Sequence, residues 1–215
     1  MMLLWLGQIL IMAAQPLSPQ GVQGLLVKVR ERRASAPHVQ ADFREEKTIH
    51  LMARPLVGTG KVWFEPPNKF RREVRGSSPS ITVSDGKELW IYYPNFKSAE
   101  HYQLGKRSPL DAAIAAINTA LNLENVETTF TISGEQAENG YHLRLLPRHP
   151  QMKRSFKTFD LWLDENLFVS RTEMAAPNGD QIITTYSNQS RAPIPASTFQ
   201  FKPPEGTDVS TPLGK

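Results

Sequence analysis

The chain contains no cysteine. That excludes disulfides, thiolate metal sites, a cysteine nucleophile and N-terminal acylation through a lipobox cysteine. It also lacks any long apolar run. Residues Leu3–Ala14 (LLWLGQILIMAA) are too few to span a bilayer, but their length and the Ala13-Ala14 pair suit the core of a signal peptide. We therefore expect residues 1–15 to be a signal peptide, 16–209 one folded domain, and 210–215 a polar tail. Metal-binding patterns are missing as well. The five histidines show neither H-x-H nor H-E-x-x-H spacing. Gly58-Thr59-Gly60-Lys61 has no Ser or Thr after its lysine and runs on into Val62-Trp63-Phe64, a strand where a phosphate loop needs a helix. Ser84-Asp85-Gly86 reads as a hairpin turn because G-x-S-x-G is absent. Asp160, Asp164 and Glu165 are a possible acid–base group, yet the last two sit in a turn signal where solvation explains them. Nothing in the sequence argues for catalysis, a cofactor or a metal.

The net charge of +4 is spread over short clusters such as Arg30–Arg33 and Lys69–Arg72 rather than a stripe, so a nucleic-acid partner is not expected. What is abundant is strand pattern. In Gly60–Pro94, apolar and polar residues alternate and two of the four tryptophans occur, with breaks at Pro66-Pro67-Asn68 and Ser84-Asp85-Gly86. Similar alternation marks Val39/Ala41/Phe43, Thr128/Phe130/Ile132, Tyr141/Leu143/Leu145, Phe159/Leu161/Leu163 and Phe168–Met174, with a last short strand at Phe199 and Phe201. Two helices interrupt the strands. Ser18-Pro19 caps one carrying Val22, Leu25, Leu26 and Val29 on one face, ended by Pro37. Ser108-Pro109 opens another that runs to about Leu123, with Leu110, Ile114, Ile117 and Leu121 on one face and no charge between Asp111 and Glu124.

These elements predict a mainly β (α+β) single domain: an unclosed antiparallel β-barrel of about ten or eleven strands. Two helices cannot cover the inner face of so large a sheet, so the pattern points to an apolar cavity under a helical lid.

The segments Gly60-x-Val-Trp-Phe-x-x-Pro67-Asn-x-Phe70-Arg71, Val83-Ser-Asp-Gly-Lys-x-Leu-Trp90-x-Tyr92-x-Pro94 and Phe199-x-Phe201-x-Pro-Pro-x-Gly206 resemble the LolA family of periplasmic lipoprotein carriers. The resemblance spans Ser18–Val209 and in 105–195 is one of pattern more than of residues. It implies a soluble periplasmic monomer whose cavity takes the acyl chains of lipoproteins. An inner-membrane ABC transporter would supply them and an outer-membrane receptor accept them, without stable membrane insertion by the carrier. The receptor relatives are anchored through an N-terminal cysteine, which this chain lacks. The other reading of the same fold is a lipid- or glycolipid-binding or envelope-sensing module.

By the family geometry the cavity residues are Phe43, Val62, Phe64, Phe70, Val83, Leu143, Leu145, Phe159 and Leu161, with Leu89 and Ile91 or Trp90 and Tyr92 from a neighbouring strand. The lid residues are Leu25, Leu26, Val29, Ile114, Ile117 and Leu121. Carriers have a basic residue before the proline of the first motif, and its arginine latches the lid. Here that position is Pro66, after Glu65. The resemblance then leaves Arg71, Arg72 or Arg54 as the latch, or a lid held by apolar contacts alone.

Overall fold

Alternating β-branched and aromatic segments pair into one sheet of 13 strands, seen in a computed structural model that describes residues 14–104, 123, 126–154 and 156–212. The expected signal core and the central helix with Ile114, Ile117 and Leu121 lie outside the described residues, as do residues 213–215 of the tail. The strands are β1 (Gln15–Pro16), β2 (Val39–Thr48), β3 (Leu56–Glu65), β4 (Lys69–Gly76), β5 (Ser80–Asp85), β6 (Glu88–Tyr93) and β7 (Ser98–Gln103). After the central segment come β8 (Phe130–Ala137), β9 (Gly140–Pro147), β10 (Thr158–Leu163), β11 (Val169–Ala175), β12 (Gln181–Ser190) and β13 (Asp208–Ser210). Their order is β1-β8-β9-β10-β11-β12-β2-β3-β4-β5-β6-β7-β13. The two runs of hairpins join through β12 and β2, and the shortest strands sit at the edges, so the sheet is open.

The count exceeds the ten or eleven expected because both edge strands are too short to leave a periodic signal. β13 pairs with β7 in parallel, the one departure from an antiparallel sheet. Phe199 and Phe201 do not form the expected strand. Ala196–Phe199 is a 3₁₀ turn followed by extended chain, which crosses the sheet face rather than pairing at an edge. Thr128 belongs to a helical turn, Val126–Thr129, and its strand starts at Phe130.

Helix α1 (Pro19–Ser35) begins as its cap signal implies: the Ser18 hydroxyl accepts the Gly21 N–H at 3.1 Å. Val22, Leu25, Leu26 and Val29 pack against Phe130, Leu143, Leu145, Leu161 and Leu163. Gly134 lets the start of the helix come close, since a Cβ there would meet Leu143 at 2.8 Å and Leu17 and Val22 at 3.3 Å.

Four motif residues of the 60–94 segment, Asn68, Ser84, Asp85 and Gly86, build turns. Asn68 donates to the Gly86 carbonyl at 3.2 Å, and the buried Ser84 hydroxyl donates to Asn68 O and accepts the Gly86 N–H, each at 3.1 Å. Gly86 stands at φ 93°, and the Asp85 carboxylate accepts the Lys87 and Glu88 N–H groups at 2.8 Å. Two neighbouring hairpin turns are thereby tied together.

Candidate functional site

Cross-strand partners share a face, so the register sorts every expected site residue. The face that packs on α1, called inner below, carries Val39, Phe64, Phe70, Ser84, Leu89 and Tyr102 in one row across β2–β7. The next row is Ala41, Val62, Arg72, Thr82, Ile91 and Glu100. Tyr186, Phe43, Gly60 and Val74 form a third. Gly60 is where the Phe43 ring lies, because a Cβ at Gly60 would come within 2.7 Å of it.

Phe43, Val62, Phe64, Phe70, Leu89 and Ile91 thus share the inner face, and of the two strand options it is Leu89/Ile91 that points there. Val83, Trp90 and Tyr92 are a correction. They stand on the outer face, in register with Arg71, His101 and Ala99. The alternation that places Leu89 inward forces its neighbour Trp90 outward. There Trp90 stacks on His101 at 4.1 Å, and Phe201 covers Trp90 and Tyr92 at 6.0 and 5.8 Å. The chain from Ile194 to Phe201, with Ile194 and Phe199 buried, closes this second small core.

Leu143, Leu145, Phe159 and Leu161 also face inward, but they serve the core under α1, with Leu143, Leu145 and Leu161 fully buried. Leu25, Leu26 and Val29, expected in a lid, are the opposite wall of that core. The latch candidates separate as well. Arg71 lies on the outer face, donating to Glu73 at 2.7 Å and to the Thr198 carbonyl at 3.2 Å, so it cannot bridge to anything on the inner side. Arg54 is exposed in the β2–β3 turn. Arg72 alone points inward; it pairs with Glu45 and covers the Phe43 ring at 4.4 Å. Glu65, beside Pro66, is engaged by Lys69 at 2.7 Å and faces His38 at 3.5 Å.

Where α1 ends, the inner face opens into a cavity of about 40 Å³. Val39, Ala41, Val62, Phe64, Val169 and Tyr186 line it from the sheet, and Leu167 and Phe168 from the β10–β11 turn. Arg33, Gln189 and Arg191 supply its polar lining. Burial raises the Tyr186 phenol above its usual range, against the pull of its hydrogen bond with Thr172. An engineered apolar cavity of about 150 Å³ holds one benzene, so this space admits no acyl chain until its walls part. Val39, Ala41 and Tyr186 were recoverable from the alternation of β2 and β12. No local sequence signal marks Leu167, Phe168, Arg33 or Arg191, which reach the cavity only through tertiary packing.

Among the described residues no group of three or more His, Asp or Glu side chains could hold a metal, and no helix is long and apolar enough to cross a membrane.

The family model described as outer membrane lipoprotein carrier protein LolA matches residues 34–202. The chain belongs to the LolA family. Similar relatives include the outer-membrane lipoprotein carrier proteins of Bordetella pertussis and Erwinia tasmaniensis. The first is 29% identical over 82% of this chain and 81% of its own. The second is 26% identical over 84% and 85%. Among solved structures, an uncharacterized conserved protein of Thermus thermophilus aligns with a TM-score of 0.54, covering 88% of this chain and 98% of its own at 14% identity. That last likeness is one of fold. Within the LolA-family chain the three sequence motifs have distinct structural roles: Asn68, Ser84 and Gly86 join turns, Trp90 and Phe201 pack the outer face, and Val62, Phe64 and Phe70 supply the inner one.

Proposed function

We propose that this protein is a soluble periplasmic carrier, acting as a monomer, that holds the acyl chains of lipoproteins against the inner face of β2–β6 and moves them from the inner to the outer membrane. An ABC transporter would load it and an outer-membrane receptor would unload it. The observation that carries the reading is the apolar patch Val39, Ala41, Val62 and Phe64 opening into a cavity beside the end of α1. A patch made only for packing would be filled, as its counterpart under α1 is. The carrier role of the named relatives supports it.

The energetics suit a shuttle without catalysis. Burying acyl chains yields about 0.8 kcal/mol per methylene, so three long chains represent on the order of 30 kcal/mol of gross transfer energy. Realised affinities saturate well below that, and the difference goes into parting the cavity walls and ordering the chains. Release into water stays unfavourable, while transfer to a better-matched acceptor runs downhill.

Phe64→Glu places a carboxylate in the patch and is expected to abolish binding of a fluorescent fatty-acyl probe while the β-rich circular dichroism persists. Unchanged probe binding would refute the cavity. Mass spectrometry of protein isolated from its own periplasm should show co-purifying triacylated lipoproteins; free lipid or glycolipid in their place would favour the binding or sensing module.

A further inference from the structure

We propose that the cavity selects amphiphiles with an anionic head, a carboxylate or a phosphate, and that the guanidinium of Arg191 receives that head while the tail enters between Val62, Phe64 and Tyr186. This goes beyond the lipoprotein reading, since a triacylated cysteine carries no anionic head, and it rests only on the cavity taking acyl chains.

Arg191 follows β12 and meets two elements at once. Its Nη1 donates to the Arg32 carbonyl at the end of α1 at 2.7 Å. Its guanidinium carbon lies 4.5 Å from the centre of the Phe168 ring, in the β10–β11 turn. Its Nε is buried and has no hydrogen-bond partner. Capping the helix explains the first contact and cation–π attraction the second. Neither explains the third. A buried N–H on a charged group carries a desolvation cost that an acceptor would remove.

The surroundings add to the demand for negative charge. Arg32 and Arg33 close the last turn of α1, and Arg33 lines the same cavity. Desolvation, then the Arg32 charge, holds the Arg191 pKa below the usual arginine value, with Asp164 opposing. One oxygen of that aspartate accepts the Asn166 and Phe168 N–H groups at 2.9 and 2.8 Å. Arg33 and Arg191 thus bring guanidinium groups to a cavity whose other walls are Gln189 and apolar side chains. A free inorganic anion would leave those walls unoccupied, whereas an amphiphile satisfies both surfaces. A head drawn to Arg191 would also compete with the Arg32 carbonyl for its donors, where α1 ends beside the cavity.

The test uses the folded protein loaded with a fluorescent acyl reporter. Palmitate is compared with methyl palmitate, and lysophosphatidate with lysophosphatidylcholine, at about pH 8 where the carboxylate is ionised. Each anion should displace the reporter at least about tenfold more effectively than its uncharged or zwitterionic partner. In Arg191→Gln, which keeps a donor for the Arg32 carbonyl, the two members of each pair should become equal while methyl palmitate binds as before. Arg191→Lys should retain part of the preference, and it decides the matter if the glutamine variant fails to fold. A preference for palmitate alone identifies a carboxylate head, for lysophosphatidate alone a phosphate head. Equal displacement within both pairs by the wild type, or a preference that survives Arg191→Gln undiminished, overturns the head-group assignment and leaves acyl binding standing. Absence of any reporter binding overturns both.

Discussion

Under α1 the inner face of β8–β10 is a filled core; across β2–β7 the same face mixes aromatic, aliphatic and charged residues beside a cavity. Both halves come from strands of similar alternation. In the first, Leu143, Leu145 and Leu161 meet Leu26 and Val29, all fully buried. In the second, Val62 is followed along its row by Arg72, Thr82, Ile91 and Glu100. The charged members are paired: Arg72 with Glu45, and Glu100 with Tyr102 at 2.6 Å. A row of leucines facing a leucine-rich helix can close to interior density. A row that includes an ion pair cannot, and the apolar residues between are left for something else to cover.

This contrast can be tested most severely in the filled half. Leu161→Ala removes a side chain with no room to relax and should cost about 3 kcal/mol in urea unfolding, with acyl-probe affinity per folded molecule unchanged. A loss below about 1 kcal/mol would mean that this half is not the tighter one. Next, Arg72→Met strands the Glu45 carboxylate on the inner face and should cost about 2 kcal/mol. Adding Glu45→Gln should recover part of that loss, as a double-mutant cycle would reveal. Third, Val62→Phe fills the cavity. It should weaken probe binding about tenfold while changing stability by less than about 1.5 kcal/mol, the reverse of the Leu161 pattern. Arg71→Ala removes the tie to the Thr198 carbonyl on the outer face. About 1 kcal/mol of stability should be lost with no change in probe binding; a binding change would restore Arg71 as a latch candidate.

The smallest effect is one of pH. Burial, then the Glu100 hydrogen bond, pushes the Tyr102 phenol up to about 12, and burial raises its neighbour Tyr93. The folded state holds these protons where the unfolded chain, with tyrosine near 10.0, gives them up. Their contribution to stability is therefore complete below pH 10 and lost as the pH rises toward 12. Absorbance at 295 nm should show late-ionising tyrosines in the native protein, and Glu100→Gln should bring their ionisation closer to the ordinary range.

Much of the candidate site was legible because a strand's period of two assigns faces within each strand. Val62 and Phe64 follow from the β3 pattern, and Val39 and Ala41 from that of β2. The choice between Leu89/Ile91 and Trp90/Tyr92 was not legible. Both faces of β6 are apolar because the outer one is covered by Phe201 from the far end of the chain. The latch question had the same character. Arg71 and Arg72 are adjacent in sequence and end on opposite faces, one bound to the C-terminal segment and the other to Glu45.

The sequence by itself determined the class of fold, the open run of antiparallel strands, the cap and buried face of α1, and membership in a lipoprotein-carrier family. Period, turn chemistry and capping are properties of neighbouring residues, and those are written in order along the chain. Tertiary structure alone decided which half of the inner face is packed and which holds a cavity, that α1 is a core wall, and that Arg191 stands beside the cavity. Those outcomes depend on which segments distant in sequence come to lie against each other, and no local pattern records that.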